Sequence, residues 1–180
     1  TLAWLHDAFT PTGKTVAAGS VGAVKFWDMA SGNGIKTLKS DLSVYAVAFS
    51  PDGKVLASGG SSISLWNLGS GQPLKTLAAP SAVINAVAFS PDSRTLAVAY
   101  RNGALRLWDP ESGYPHGPAL VGHVDAALMA AFSPDGQILA ASRFDPTTRP
   151  WDPATCEPPG RAAPGPTRDG PHRPPPPPPR

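Results

Sequence analysis

An all-β fold built from repeated four-stranded antiparallel units is predicted for this chain by three observations. The stretch AFSPDG at 48–53 returns as AFSPDS at 88–93 and AFSPDG at 131–136, with a worn copy, AFTPTG, at 8–13. Its phenylalanines, Phe9, Phe49, Phe89 and Phe132, lie 40, 40 and 43 residues apart, and a second ladder, Trp27, Trp66, Trp108 and Trp151, runs at 39, 42 and 43. Two separate markers sharing one period near 40 residues identify an internal repeat. Within each unit the apolar pattern has a period of two, which belongs to strands.

The elements of a unit follow in order. VYAVAFS (44–50) and INAVAFS (84–90) are short, apolar and rich in β-branched and aromatic residues, so they are expected as buried first strands. The PDG or PDS that follows is turn chemistry: Pro presets φ, Asp bonds back to the backbone, and Gly accepts positive φ. KVLASG (54–59), RTLAVA (94–99) and QILAAS (137–142) supply second strands, and AVKFWD, ISLWN and ALRLWD supply third strands. Turns ASGNG (30–34), GSGQP (69–73) and ESGYP (111–115) lead to fourth strands such as IKTLK (35–39) and LKTLA (74–78). Pro73, Pro115 and Pro118 fall near the fourth strand, the outer edge, where a missing amide donor is tolerated. Four antiparallel strands in about 40 residues make the blade of a β-propeller. No segment carries a helical stripe.

Composition narrows the function. The chain has 180 residues, 41 % hydrophobic and 16 % charged, enough for a core. A net charge of +2 gives no footprint for nucleic acid or an anionic membrane, and four of the arginines (Arg161, Arg168, Arg173, Arg180) sit in the C-terminal tail. The single cysteine, Cys156, excludes an internal disulfide framework and a cysteine-rich zinc site. With no signal peptide visible, a cytoplasmic location is expected. His6, His116 and His172 are scattered without metal-ligand spacing, Lys14, Lys54 and Arg94 are expected to be solvated, and no phosphate loop or GxSxG is present. No cofactor is expected.

The pattern FSPDG…LAS(G)…LWD…SG over roughly residues 1–152 resembles the WD40 repeat family. The resemblance implies a propeller presenting loops to partners, with units at about 1–39, 40–78, 79–120 and 121–152. Propellers of that family usually have seven blades, so four units imply an incomplete or open ring, and the chain is expected to be a slice of a longer propeller, the alternatives being assembly with another copy and closure as a small ring. The family's structural tetrad of His, Ser/Thr, Asp and Trp maps onto His123, Ser142, Asp145 and Trp151 of the fourth unit. At the His position the other units have Ser40 and Pro80, and at the Asp position Val21 and Asn102. His123, Asp145 and Ser142 match a catalytic triad in residue type, but the resemblance makes them internal struts. Pro150, just before Trp151, removes a ladder donor from the third strand of that unit.

After Trp151 the composition changes. Residues 150–180 hold 13 of the 23 prolines, so residues 153–180 are expected as a disordered or polyproline tail. Three readings stand: a linker, a ligand (PPPPPPR) for an aromatic groove, or the product of a shifted frame or truncation, since WDPATCEP looks like the start of another blade with Cys156 where Gly is expected. The style of the repeats is similar to bacterial members of the family, which implies the sensor or assembly arm of a larger regulatory protein. The expected function is a non-catalytic scaffold for a protein or peptide partner, with no nucleic acid and no membrane. Tyr100, Arg101, Arg143 and Phe144, beside the loops between second and third strands, are the candidate contacts, because aromatics and Arg are the usual hot-spot types; the alternative for Tyr100 and Phe144 is that they pack between blades. The alternatives are a gene fragment without a function of its own and an enzyme whose site lines the central channel.

Overall fold

The computed structural model describes residues 7–40, 42–77, 83–120, 127–143 and 148–158. Among these residues fourteen strands form four antiparallel sheets in chain order. The first sheet holds β1 (Asp7–Phe9), β2 (Thr15–Ser20), β3 (Ala23–Asp28) and β4 (Gly34–Lys39). The second holds β5 (Ala46–Phe49), β6 (Val55–Gly59), β7 (Ile63–Asn67) and β8 (Pro73–Leu77). The third holds β9 (Ile84–Phe89), β10 (Leu96–Tyr100) and β11 (Leu105–Trp108), and the fourth β12 (Ala127–Phe132), β13 (Leu139–Arg143) and β14 (Arg149–Trp151). Each sheet is a plain meander, so the first strand lies at one edge and the last at the other. The first strands β1, β5, β9 and β12 pack against one another in succession, which makes theirs the inner edge.

The repeated Ser-Pro-Asp turn is a small hydrogen-bonded machine, and this is why the chain writes it so often. Ser50 Oγ donates to Asp52 Oδ1 at 2.6 Å while accepting from Val55 N at 2.9 Å, and Asp52 accepts from Lys54 N at 3.1 Å. Ser90 with Asp92 and Ser133 with Asp135 repeat it. The turn closes through a left-handed residue, Gly53 (φ 71) or Gly136 (φ 72), and Ser93 takes that conformation (φ 63) in the third copy. In the worn first copy Thr10 stands for Ser and accepts from Thr15 N at 3.1 Å, with no Asp to complete the clamp. The second turn is just as regular. Gly32 N, Gly71 N and Gly113 N donate to the carbonyls of Asp28, Asn67 and Asp109 at 2.7–2.8 Å, and Cys156 N does the same to Asp152 at 2.8 Å. Cys156 thus occupies the glycine position with φ 60.

The third unit departs from the expected four strands. Its outer strand is reduced to bridges of Leu105 to Leu120 and Trp108 to Pro115, because Pro115, Gly117 and Pro118 break the ladder. Pro150 pairs with Ala140 in β14, which among the described residues is the outer strand of its sheet, where Pro is tolerated.

The core lies between the sheets. Each sheet has a front face, carrying its Phe and Trp, and a rear face of smaller and branched residues. Ala17, Val24, Phe26 and Leu38 on the rear of the first sheet cover Phe49, Leu56 and Trp66 on the front of the second. Ile63, Leu65 and Leu77 cover Leu96 and Trp108, and Leu105, Leu107 and Leu120 cover Leu139 and Trp151. The sheets do not close into a complete ring: Phe9, on the front of the first sheet, is 59 % exposed, and Met129, on the rear of the fourth, is 60 % exposed.

Candidate interaction surface

The meander sorts the connections onto two ends. The Ser-Pro-Asp turns and the Gly turns lie at one end. The hairpins between second and third strands, with the links from one sheet to the next, lie at the other. This second end is sewn together by backbone bonds: Val44 N donates to Ser20 O at 3.0 Å, Ile84 N to Gly60 O at 2.9 Å and Arg101 N to Val83 O at 2.8 Å. The links run so close to the hairpins that Gly is required. A Cβ on Gly19 would stand 2.6 Å from Val44 O, and one on Gly60 would collide with Ser43 O.

On this platform the exposed groups are few. Val21 at the β2–β3 hairpin is 80 % exposed, Leu42 and Tyr45 on the link into β5 are exposed, and Arg101 stands exposed at the β10–β11 hairpin. Leu42 escaped the sequence reading, and Tyr45, expected within the buried strand 44–50, lies before β5, which starts at Ala46, and is exposed. A narrow cleft of about 10 Å³ beside them is lined by hydroxyls, among them Ser40, Ser43, Ser61 and Ser62, and is wide enough for little more than one water.

The expected contact residues divide. Arg101 is where a contact needs it. Tyr100 is not: it is fully buried between the second and third sheets, beside Ile84 and Trp108. The correction has a plain cause. Tyr100 stands where the second unit has Gly60, and its ring turns inward to fill the space. Burial raises the phenol's pKa, an effect partly offset by the nearby Trp108 N–H and the Arg106 charge. Neither reaches hydrogen-bond geometry: Tyr100 Oη, Trp108 Nε1 and Arg106 Nε are buried without a partner. Arg143 ends β13, its side chain lies outside the described residues, and so does Phe144.

Of the tetrad's contacts, the second unit shows the Trp–Ser pair. Trp66 Nε1 donates to Ser58 Oγ at 2.9 Å within the core. In the fourth unit His123 and Asp145 lie outside the described residues. The register pairs Leu139 with Trp151 as it pairs Leu56 with Trp66, so Ala141 takes the position of Ser58 and Ser142 falls on the opposite face from Trp151. Of the residues at the other tetrad positions, Val21 is exposed, and Asn102 Oδ1 accepts from Ala104 N at 3.1 Å within its own hairpin. Trp27 is half-buried on the uncovered front of the first sheet.

Elsewhere the charges are structural. Asp28, Asp52, Asp92, Asp109 and Asp135 are held below the usual carboxylate range, first by a serine side chain in the same turn and then by backbone N–H groups. Lys54 is solvated, 3.7 Å from Asp52. Burial, with the Asp152 charge, pushes the Cys156 thiol up, which keeps it protonated. Among the described residues no group of three or more His, Cys, Asp or Glu could hold a metal. Two lysines bind sheet to sheet: Lys36 Nζ donates to Leu68 O at 2.9 Å, and Lys75 Nζ to the carbonyls of Glu111 and Ser112 at 2.8 Å.

Stacked meander sheets, packed Phe–Trp front to apolar rear with loops gathered at one end, define a β-propeller-type repeat protein. The family model for the WD domain, G-beta repeat, matches residues 32–67 and 71–109, so the chain carries WD40 repeats at these two positions. It is 32 % identical over 150 residues to an uncharacterized WD repeat-containing protein of Synechocystis, covering 57 % of this chain and 43 % of that protein. It is 36 % identical over 130 residues to Protein groucho of Drosophila melanogaster (63 % and 17 %) and 45 % identical over 71 residues to Small ribosomal subunit protein RACK1z of Arabidopsis thaliana (38 % and 21 %). The chain spans less than half the length of each of these curated relatives.

Proposed function

We propose that this chain is a non-catalytic scaffold for protein–protein interaction, and that its loop end is the contact surface. One observation carries the reading: Val21, Leu42, Tyr45 and Arg101 are exposed on a platform whose backbone is fixed by inter-sheet hydrogen bonds. A rigid scaffold that carries apolar, Tyr and Arg groups on short loops suits a protein or peptide partner, since little ordering entropy is lost when it binds. The names of two relatives agree with such a role, one being a small ribosomal subunit protein and another, in fission yeast, a target of rapamycin complex subunit.

The finer reading is that the repeats serve as the sensor or assembly arm of a larger bacterial regulatory protein. The test of the platform is crosslinking with mass spectrometry in the source cells, comparing the native chain with a Tyr45→Ala, Arg101→Ala variant. Loss of specific crosslinked proteins in the variant, with the circular dichroism unchanged, is the expected outcome. An unaltered set of partners would refute the loop-end assignment. For the finer reading, a kinase or nucleotide-switch domain in the same open reading frame is expected.

A further inference from the structure

The Gly turns of the third and fourth units meet at the end of the molecule opposite the loop platform. Asp109 N donates to Tyr114 O at 2.9 Å, and Asp152 N donates to Glu157 O at 2.8 Å, the bond that Asn33 and Gln72 accept in the first two units. Tyr114 thus stands where the other units have Asn33, Gln72 and Glu157, and its ring is 73 % exposed. The two turns touch: a Cβ on Gly117 would stand 2.9 Å from Cys156 Sγ. Pro115 and Pro118, both exposed, extend the apolar surface beside the ring. The same two turns carry the carboxylates of Asp109, Glu111, Asp152 and Glu157. Among the described residues none of the four has a cation within salt-bridge distance. The nearby Lys75 amine is taken up by the carbonyls of Glu111 and Ser112.

We infer that residues 159–180 of the same chain fold back over this rim, prolines against the Tyr114 ring and arginines among the four carboxylates. The described residues end at Pro158, one residue past Glu157, so the segment leaves from the rim itself. Its charge is complementary: Arg161, Arg168, Arg173 and Arg180 stand against a single acid, Asp169. Its proline run at 174–179 favours the polyproline conformation, which lays its rings on an aromatic surface with little further loss of entropy. At about 3 Å per residue in that conformation, the chain before the run spans on the order of 45 Å, ample for a return to Tyr114. One ring and a few exposed ion pairs hold weakly between separate molecules. A short tether supplies an effective concentration of roughly millimolar order, which populates the same contact within one chain. The rim lies away from Val21, Leu42, Tyr45 and Arg101, so the inference stands apart from the proposed scaffold role.

The full 180-residue chain is treated with trypsin under native conditions, and the cuts after Arg161 and Arg168 are timed by mass spectrometry. Neither arginine precedes a proline, so both bonds are open to the protease once the segment lifts off. Tyr114→Ala removes an exposed side chain, so the fold should survive, and circular dichroism checks it. Both cuts are expected to be about tenfold faster in this variant than in the native chain, as the tethered contact loses its ring. Glu111→Gln combined with Glu157→Gln should also speed the cuts, by a smaller factor. Protection of the native chain should not depend on its concentration. Equal rates in the native and Tyr114→Ala chains, a double variant cut as slowly as the native chain, or a protection that grows with concentration, and so comes from another copy, would each overturn the inference.

Discussion

At the scale of the residue, the buried polar groups separate into those with partners and those without. Ser58 satisfies the Trp66 indole in the second unit. Ser58→Ala leaves a buried N–H unpaired and should cost about 1–2 kcal/mol in urea unfolding. Tyr100 Oη has no partner, so removing it should cost little: Tyr100→Phe is expected to lie within about 0.5 kcal/mol of the native chain, or to be more stable. If Tyr100→Phe proves the more damaging change, the phenol oxygen is holding the Trp108 N–H. Ser93 sits left-handed where the other copies have Gly, a strain of about 1 kcal/mol or a little more. Its Oγ also accepts from Asp52 N at 3.2 Å, an exposed bond of small net worth. Ser93→Gly should therefore be stabilising by up to about 1 kcal/mol, read as a rise in the melting midpoint.

At the scale of the element, the turns carry a pH dependence whose sign is fixed. The carboxyls of Asp52, Asp92 and Asp135 have lower pKa values folded than unfolded, through their serine partners first. The folded chain thus binds fewer protons than the unfolded one near the carboxylate range. The stabilisation is complete above the unfolded value of about 4 and is lost as the pH falls through the depressed folded values. The triple Asp→Asn variant should show a shallower fall of melting temperature below about pH 4. The match of 32–67 has a structural meaning at this scale as well. It runs from the outer strand of one sheet through three strands of the next, so the sequence repeat bridges two structural units and ties them covalently.

At the scale of the whole molecule, the spacing between sheets is set by residues too small to be seen as important in a strand. A Cβ on Gly59 would stand 2.5 Å from Ile84 Cγ2. Gly59→Ala should push the second and third sheets apart and cost about 1–3 kcal/mol, measured by chemical denaturation. Lys36 and Lys75 staple the first three sheets along their outer side, and Pro118 stands near the matching place in the third unit.

What the sequence determined by itself is everything that repeats. Period-two strands, Ser-Pro-Asp turns and the Trp ladder are local chemistry, written out in each unit, and four copies make them legible. Tertiary structure decided which face a side chain shares and what covers it. Between Leu139 and Ser142 there is one residue more than between Leu56 and Ser58, and in a strand one residue reverses the face, so a serine that reads as a strut cannot meet Trp151. Tyr100 reads as a loop aromatic and is fully buried, because it sits on the face that packs against the second sheet. The open Phe9–Val16–Trp27 row is spelled like its three buried counterparts. Its exposure follows from the order of packing, since burial is a property of the neighbouring sheet, and among the described residues no other sheet covers the first sheet's front.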